Sequence, residues 1–86
     1  MKNHTKVYLK YFGFSIPQDC FCEICGNYAN DIHHINARGM GGSKEKDKIE
    51  NLMALCRKHH IQYGDVPDKK EWLQEIHSRF IKTQKK

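Results

Sequence analysis

The chain has 86 residues, a formal net charge of +5 at pH 7 and 38% hydrophobic residues. This length leaves room for a single domain, residues 1–86, whose small core needs an added cross-link or metal to be stable. No apolar run approaches the roughly 18 residues of a membrane span, and no charged and then apolar leader opens the sequence. We therefore expect a soluble, cytoplasmic protein.

Positive charge is concentrated near the two ends of the chain. Residues 1–16 contain three lysines and no acidic residue, and residues 68–86 contain six basic and three acidic residues. The centre, residues 17–67, contains six basic and seven acidic residues. This distribution suits a polyanionic partner whose backbone is gripped by the basic flanks, although ordinary solvated chain ends have the same pattern.

The first predicted element is a helix over residues 5–13, capped by Thr5 and ended by Gly13. Its apolar face comprises Val7, Tyr8, Tyr11 and Phe12. A connector leads to Cys22-x-x-Cys25, where Gly26 supplies the left-handed turn that directs both sulfurs at one ion.

Two short strands and a helix are predicted next. The first strand includes residues 32–35, and the second is the apolar run from Leu52 to Leu55. A glycine-rich and charged loop over residues 38–48 separates them. Residues 56–63 then predict a helix ended by Gly64.

A closing helix is predicted over residues 68–82, where Asp68 and Glu71 form a capping signal. Its apolar face, which we expect to be core, comprises Trp72, Leu73, Ile76 and Phe80. His4 and His77 fit no site pattern, and we expect both to be solvated.

The cysteine spacing predicts a structural zinc site. Cys22 and Cys25 supply one pair of ligands, and Cys56 and His59 supply the other, which gives a closed tetrahedral Cys3His set. A disulfide framework is the less favoured interpretation because no secretory leader is present, and buried free thiols are a second alternative. Cys20 is left over, or competes with Cys22 as a ligand.

The remaining central histidines predict a second, catalytic centre. His33 and His34 are neighbours on a strand, so their side chains point to opposite faces unless the strand ends there. His59 and His60 are about 100° apart on a helix, so one can face the zinc while the other faces the strands. Of His33 and His34, one should therefore bind a metal ion while the other has a different role, and His59 and His60 should likewise differ in role. An imidazole that acts as general base on water, beside a divalent ion, can catalyse hydrolysis.

These motifs, in this order, resemble the HNH endonucleases, the ββα-metal nucleases. The resemblance covers residues 20–64, and the segments that carry it are Cys22-x-x-Cys25, residues 31–35, residues 38–42, Asn51-Leu52-x-x-Leu55-Cys56 and His59-His60. It implies a small α+β fold with a ββα-metal, treble-clef-like core, an antiparallel hairpin and flanking helices. It also implies hydrolysis of DNA phosphodiester bonds, by nicking or by double-strand cleavage.

The same resemblance implies a role for each matching residue. His34 is the general base, His33 and His60 bind the catalytic ion, and Asn51 ties the loop to the hairpin so that His34 is held in orientation. The catalytic ion can be Mg²⁺, Mn²⁺, Ni²⁺ or Zn²⁺. In the zinc-bearing branch of the family a second Cys-x-x-Cys is usual, whereas His59 replaces its last cysteine here.

Loop residues and partners complete these expectations. Arg38, Lys44 and Lys46 are candidates for contact with nucleic acid, and the glycines beside Arg38 equally suit a plain turn. DNA is the expected partner, and a second copy of the chain or a bacterial or phage DNA-processing protein is a further candidate. The competing function is a zinc-binding module that recognises nucleic acid without cutting it.

Overall fold

The computed structural model describes residues 2–36, 47–64 and 66–84. It confirms a small α+β fold with an antiparallel two-stranded hairpin and helices on both sides of it in sequence. The elements in chain order are α1 (Asn3–Phe12), β1 (Asp31–His34), β2 (Leu52–Leu55), α2 (Arg57–His59) and α3 (Lys70–Gln84). Among the described residues, no helix has the length and apolar character needed to cross a bilayer.

Helix α1 begins earlier than its sequence predicts. Lys2 is the N-cap and makes no side-chain capping bond, so Thr5 lies inside the first turn and its predicted capping role is wrong. The end of the helix is confirmed, since Gly13 adopts φ 78° and its N–H donates to the carbonyl of Leu9. The early start brings the first residues of α1 to the histidine-bearing end of β1.

Strand β2 is the central element of the core, and its predicted bounds are confirmed. All four of its residues are buried, which requires cover on both faces because successive side chains alternate. Leu52 and Ala54 pack with Tyr8 and Leu9 of α1 and with Cys20. We call this group the α1 cluster.

The opposite face of β2 packs against the second half of the chain. Met53 and Leu55 form a cluster with Cys22, Ile35 and Leu73 of α3. In the antiparallel register His33 pairs with Met53, and His34 pairs with Leu52. Paired residues share a face, so His33 lies on the Met53 face of the hairpin and His34 on the α1 face.

Helix α2 is shorter and wider than the regular helix predicted for residues 56–63. Cys56 is its N-cap, and after His59 the backbone continues as a π-helical turn, His60–Gly64. Gly64 is thus the last residue of this turn rather than a cap beyond a regular helix. Single π-helical turns are often found at functional sites because they alter the direction of a side chain.

Helix α3 follows a 3₁₀ turn over Pro67–Lys69, and Asp68 therefore lies before the helix. Leu73 is fully buried as expected, but the prediction that Trp72 is core is wrong because it is 40% exposed. The Trp72 ring contacts Tyr63 edge-on at 4.9 Å, with the Lys69 ammonium 5.7 Å from its centroid. An amphipathic helix places boundary residues at the edge of its apolar face, and Trp72 occupies that edge.

Glu23, which lies between Cys22 and Cys25, has a buried carboxylate that bonds to three other parts of the fold. Glu23 Oε2 accepts from the Tyr8 hydroxyl at 2.7 Å and from the Ala54 N–H at 3.1 Å. Its Oε1 accepts from Nδ1 of His77 at 2.6 Å, and Nε2 of His77 donates to the Ile49 carbonyl at 2.6 Å. Burial, followed by the negative charge of Glu23, raises the pKa of Tyr8 above its usual value.

The expectation that His77 is solvated is therefore wrong, since its side chain is fully buried. Both ring nitrogens face oxygen acceptors, and only the doubly protonated imidazolium can donate to both. Ion pairing with Glu23 compensates the burial of each charge.

Candidate active site

Three cysteines and one histidine converge beside the start of α2. The Sγ atoms of Cys22, Cys25 and Cys56 and a ring nitrogen of His59 all lie within 4.8 Å of one another. Cys25 and Cys56 have their sulfurs 3.8 Å apart, and Nδ1 of His59 lies 3.3 Å from the sulfur of Cys56 and 3.6 Å from that of Cys22. This cluster could hold a metal ion, and it contains all four of the predicted zinc ligands.

The distances can be compared with those of a tetrahedral zinc site. With Zn–S near 2.3 Å and Zn–N near 2.0 Å, two sulfurs lie about 3.8 Å apart and a sulfur and a nitrogen about 3.5 Å apart. The three separations in the cluster agree with these values within a few tenths of an ångström. The donor set therefore fits zinc in both chemistry and size.

The four cysteines differ in their surroundings. Gly26 adopts φ 79° in the turn after Cys25. A hydrogen bond from the Asn27 backbone lowers the pKa of the Cys25 thiol. Burial raises the pKa of the Cys22 thiol. Cys20, in contrast, is fully buried in the α1 cluster, and burial raises its pKa to about 11. The cluster of four does not include Cys20.

A separate cleft of about 550 Å³ lies between the start of α1, the end of β1 and the π-helical turn. Its lining includes three of the predicted catalytic histidines and three residues from the beginning of the chain. The lining residues are Lys2, Asn3, His4, Ile32, His33, His34 and His60.

His33 and His60 face each other on one side of the cleft. Their ring centroids are 4.9 Å apart and the rings are tilted by 59°. Nδ1 of His60 donates to Oδ2 of Asp31 at 3.0 Å, and the same oxygen accepts from Arg57 at 3.2 Å. A histidine that ligates a metal typically donates its other ring N–H to a carboxylate, as His60 does to Asp31.

Gly64 allows this pair of rings to come close. A Cβ atom on residue 64 would lie 2.6 Å from Cδ2 of His60 and 3.3 Å from Cε1 of His33. Its backbone φ is not in the left-handed region, so the space required by the two imidazoles favours glycine here.

His34 has a different set of neighbours on the α1 side of the hairpin. Its Nε2 donates to Oδ1 of Asp47 at 2.7 Å, and Oδ2 of Asp47 accepts from the Asn3 side chain at 2.9 Å. Asp47 is only 4% exposed. Because the carboxylate accepts the Nε2 proton, Nδ1 is the nitrogen of His34 that can accept a proton.

His4 extends this arrangement, with its ring centroid 4.4 Å from that of His34. One donor atom from each of His4, His34 and Asp47 lies within 4.8 Å of the others, so a metal ion is a second chemical option for this group. Two donors bound to one tetrahedral ion at about 2.1 Å would be about 3.4 Å apart. The 2.7 Å separation between His34 and Asp47 is that of a charge-assisted hydrogen bond instead.

Asn51 closes the end of β1 where the two histidines lie. It is buried, and its side-chain amide makes two bonds to the backbone of Asn36, accepting from N–H at 2.8 Å and donating to C=O at 3.0 Å. The backbone carbonyl of Asn51 accepts from the N–H of Ile35 at 2.9 Å. These bonds fix the path of the chain directly after His34.

The structure brings the predicted residues together in two groups, one around Cys22 and one around His34. Arg38, Lys44 and Lys46, the predicted nucleic-acid contacts, lie outside the described residues. Sequence reasoning missed Asp47, which is hidden in a run of mixed charge, and His4, which was expected to be solvated. The chain order gives little signal for either. His4 reaches His34 through the packing of α1 against the hairpin, and Asp47 reaches it from the segment before β2.

Comparison with known proteins identifies the family of the chain. The family model described as "Putative HNHc nuclease" matches residues 5–86, nearly the whole chain. A protein of Escherichia coli (strain K12) described as "Uncharacterized protein YdfU" is 41% identical over 51 residues, which cover 59% of this chain and 14% of that protein. The matched stretch is thus a small part of that relative's length. No solved structure matches the chain. The length of the family match, together with the two side-chain groups, shows that this chain belongs to the HNH nuclease family.

Proposed function

We propose that this protein is a metal-dependent endonuclease that hydrolyses DNA phosphodiester bonds, with His34 as the general base. The observation that carries the proposal is the cleft in which His33, His34 and His60 converge. A nucleic-acid-binding module has no need for three histidines in one cleft, two of them hydrogen-bonded to carboxylates through one ring nitrogen.

His34 is suited to take a proton from water. Asp47 accepts the proton on Nε2, which fixes the tautomer in which Nδ1 is basic. Asn51 acts as a positioning residue, since its two bonds to Asn36 hold the backbone that follows the base.

His33 and His60 are the residues that would hold the catalytic divalent ion. The bond between His60 Nδ1 and Asp31 leaves Nε2 of His60 for a ligand, and Gly64 leaves the room for it. When bound, such an ion polarises the phosphate and stabilises the leaving oxygen. Two imidazole ligands favour a transition ion over Mg²⁺ in affinity.

The second metal in this proposal is a structural zinc held by Cys22, Cys25, Cys56 and His59. Its support is the agreement between the sulfur and nitrogen separations and those of a tetrahedral site. Such an ion contributes folding free energy, which a domain of this size needs.

The test is cleavage of supercoiled plasmid DNA in Mg²⁺, Mn²⁺, Ni²⁺ or Zn²⁺, scored for nicked and linear product. Wild type should cleave with at least one of these ions, and His34→Ala should be slower by about 10²- to 10⁴-fold, the usual contribution of a general base. Zinc content and thermal melting of His34→Ala should equal those of wild type. Wild type that binds DNA but cleaves it with none of the ions would favour the non-catalytic binding module. Full activity in His34→Ala would refute the assignment of the base.

A further inference from the structure

Helix α1 and its N-cap carry a row of lysines without any acidic residue, and this row starts at the cleft. Lys2, Lys6 and Lys10 are all exposed, and they recur every four residues, so they lie along one side of the helix. Lys2 also lines the cleft that contains the three catalytic histidines. The row therefore leads directly away from the reacting centre.

From this placement we infer that the lysine row of α1, defined as Lys2, Lys6 and Lys10, binds the sugar-phosphate backbone of the DNA strand that enters the cleft. The inference rests on the proposed function, since it identifies how that site receives its substrate. The charge distribution alone suggests that the basic segments at both ends of the chain contact the DNA. The inference assigns this contact to the N-terminal segment.

The charge environment of α1 suits a polyanion. The helix contains no acidic residue, and within the described part of the chain none of its three lysines forms an ion pair. The N-terminal end of a helix also carries partial positive charge from its unbonded N–H groups. In α1 this end lies at the cleft, where a phosphate must be held.

The spacing of the row also fits. A rise of 1.5 Å per residue separates successive lysines by about 6 Å, so the row is about 12 Å long. Phosphates of one strand advance by about 3.4 Å per nucleotide along the duplex axis, so the row spans about three to four nucleotides.

Beyond Lys10 the surface continues into a groove of about 530 Å³. Lys10 and Lys48 line it together with the exposed ring of Tyr11, and the lining also includes one acidic residue, Glu50. Lys48 directly follows Asp47, which holds His34. Basic side chains thus line both the cleft and the far end of α1.

Helix α3 offers no comparable row. It contains Glu71 and Glu75 among its basic residues, and Arg79 is paired with Glu75 at 2.6 Å. Among the described lining residues of the cleft, none belongs to α3. Its exposed Lys70 and Lys82 therefore provide a matched control of equal charge.

The experiment measures binding of a fluorescent DNA duplex by anisotropy as a function of salt, in a His34→Ala background that does not cleave. Each phosphate contact that is removed should lower the slope of log K against log salt by about 1. Lys6→Gln/Lys10→Gln should therefore lower the slope by about 2 and weaken binding at 50 mM salt by about tenfold or more. Lys70→Gln/Lys82→Gln should change affinity less than about twofold.

Equal effects of the α1 and α3 pairs, or no effect of the α1 pair, would overturn the inference. A background protein that binds no DNA at any salt would overturn it as well. Plasmid cleavage by protein with an intact His34 is scored separately, so the proposed function can hold while this assignment of the surface fails. Melting temperatures and zinc content of both pairs verify that only surface charge has changed.

Discussion

Gly64 lies directly against the imidazole of His60, so closely that a Cβ at position 64 would be 2.6 Å from Cδ2 of that ring. Non-bonded carbon atoms prefer about 3.5–4.0 Å. The last residue of the π-helical turn therefore determines where its first residue can place a side chain.

Gly64→Ala should reduce DNA cleavage by about 10- to 100-fold, the range typical of changes that displace a metal ligand through its neighbours. The His60 ring must move away from the added methyl group, and this changes its position relative to the His33 ring. Cleavage is measured on plasmid DNA, with Ser78→Ala on the exposed side of α3 as a control helix substitution. Unchanged cleavage in Gly64→Ala would show that the His60 position is not required.

Asp47→Ala should lower kcat by about 10²-fold with little change in KM if, as we propose, Asp47 acts by orienting His34. The ring tautomer of His34, read from ¹⁵N chemical shifts, should become mixed once the acceptor of its Nε2 proton is lost. Asp19→Ala, which removes an exposed carboxylate, serves as the control. A variant with normal kcat and an unchanged tautomer would contradict this role.

One zinc per chain should be found in wild type by native mass spectrometry, and Cys25→Ala should lose it and melt at a lower temperature. Cys20→Ala should keep the zinc, because Cys20 lies in the α1 cluster away from the four ligands. His60→Ala should also keep it and lose cleavage. Loss of zinc in His60→Ala, with retention in a His59→Ala variant, would reverse the assignment of the two histidines.

Stability should fall as pH rises above about 10, and Tyr8→Phe should remove part of this dependence. The pKa of Tyr8 is raised by burial in the folded state, so above pH 10 the unfolded chain loses a proton that the folded protein retains. Unfolding is then favoured by up to about 1.4 kcal/mol per pH unit from this group. Urea unfolding of both proteins between pH 8 and pH 11 measures the difference, and parallel curves would contradict the prediction.

His77→Leu should destabilise the protein by about 3–5 kcal/mol, since it leaves the charge of Glu23 buried without its partner. Adding Glu23→Gln to this variant should recover part of the loss. Thermal or urea unfolding of the two single variants and the double variant gives the coupling between them. If the stability losses of the two single variants add up in the double variant, His77 and Glu23 are not coupled.

Much of the fold follows from local sequence patterns. The bounds of β2 are predictable because four consecutive apolar residues suit a short strand that is covered on both faces. The group of four around Cys22 is predictable because metal geometry requires fixed ligand spacing along the chain. Gly13 and Gly26 are predictable because a left-handed turn is needed at the end of α1 and directly after Cys25.

Other features depend on contacts between distant parts of the chain. His77 is one helical turn beyond Leu73 on the same face of α3, yet a histidine can be buried there only because Glu23 lies opposite, 54 residues earlier. His4 similarly meets His34 through the docking of α1, and Asp47 meets it across 13 residues of chain. No spacing rule within one element can predict such pairs.

Glu23 connects three elements of the fold through one carboxylate. Its carboxylate lies between two sulfur donors in the sequence and is bonded to α1, β2 and α3 at once. Disturbance of the turn between Cys22 and Cys25 would therefore loosen the anchoring of both outer helices, and removal of either helix would take a hydrogen bond from the buried Glu23 carboxylate. The nuclease core and its flanking helices should consequently unfold together, in one transition.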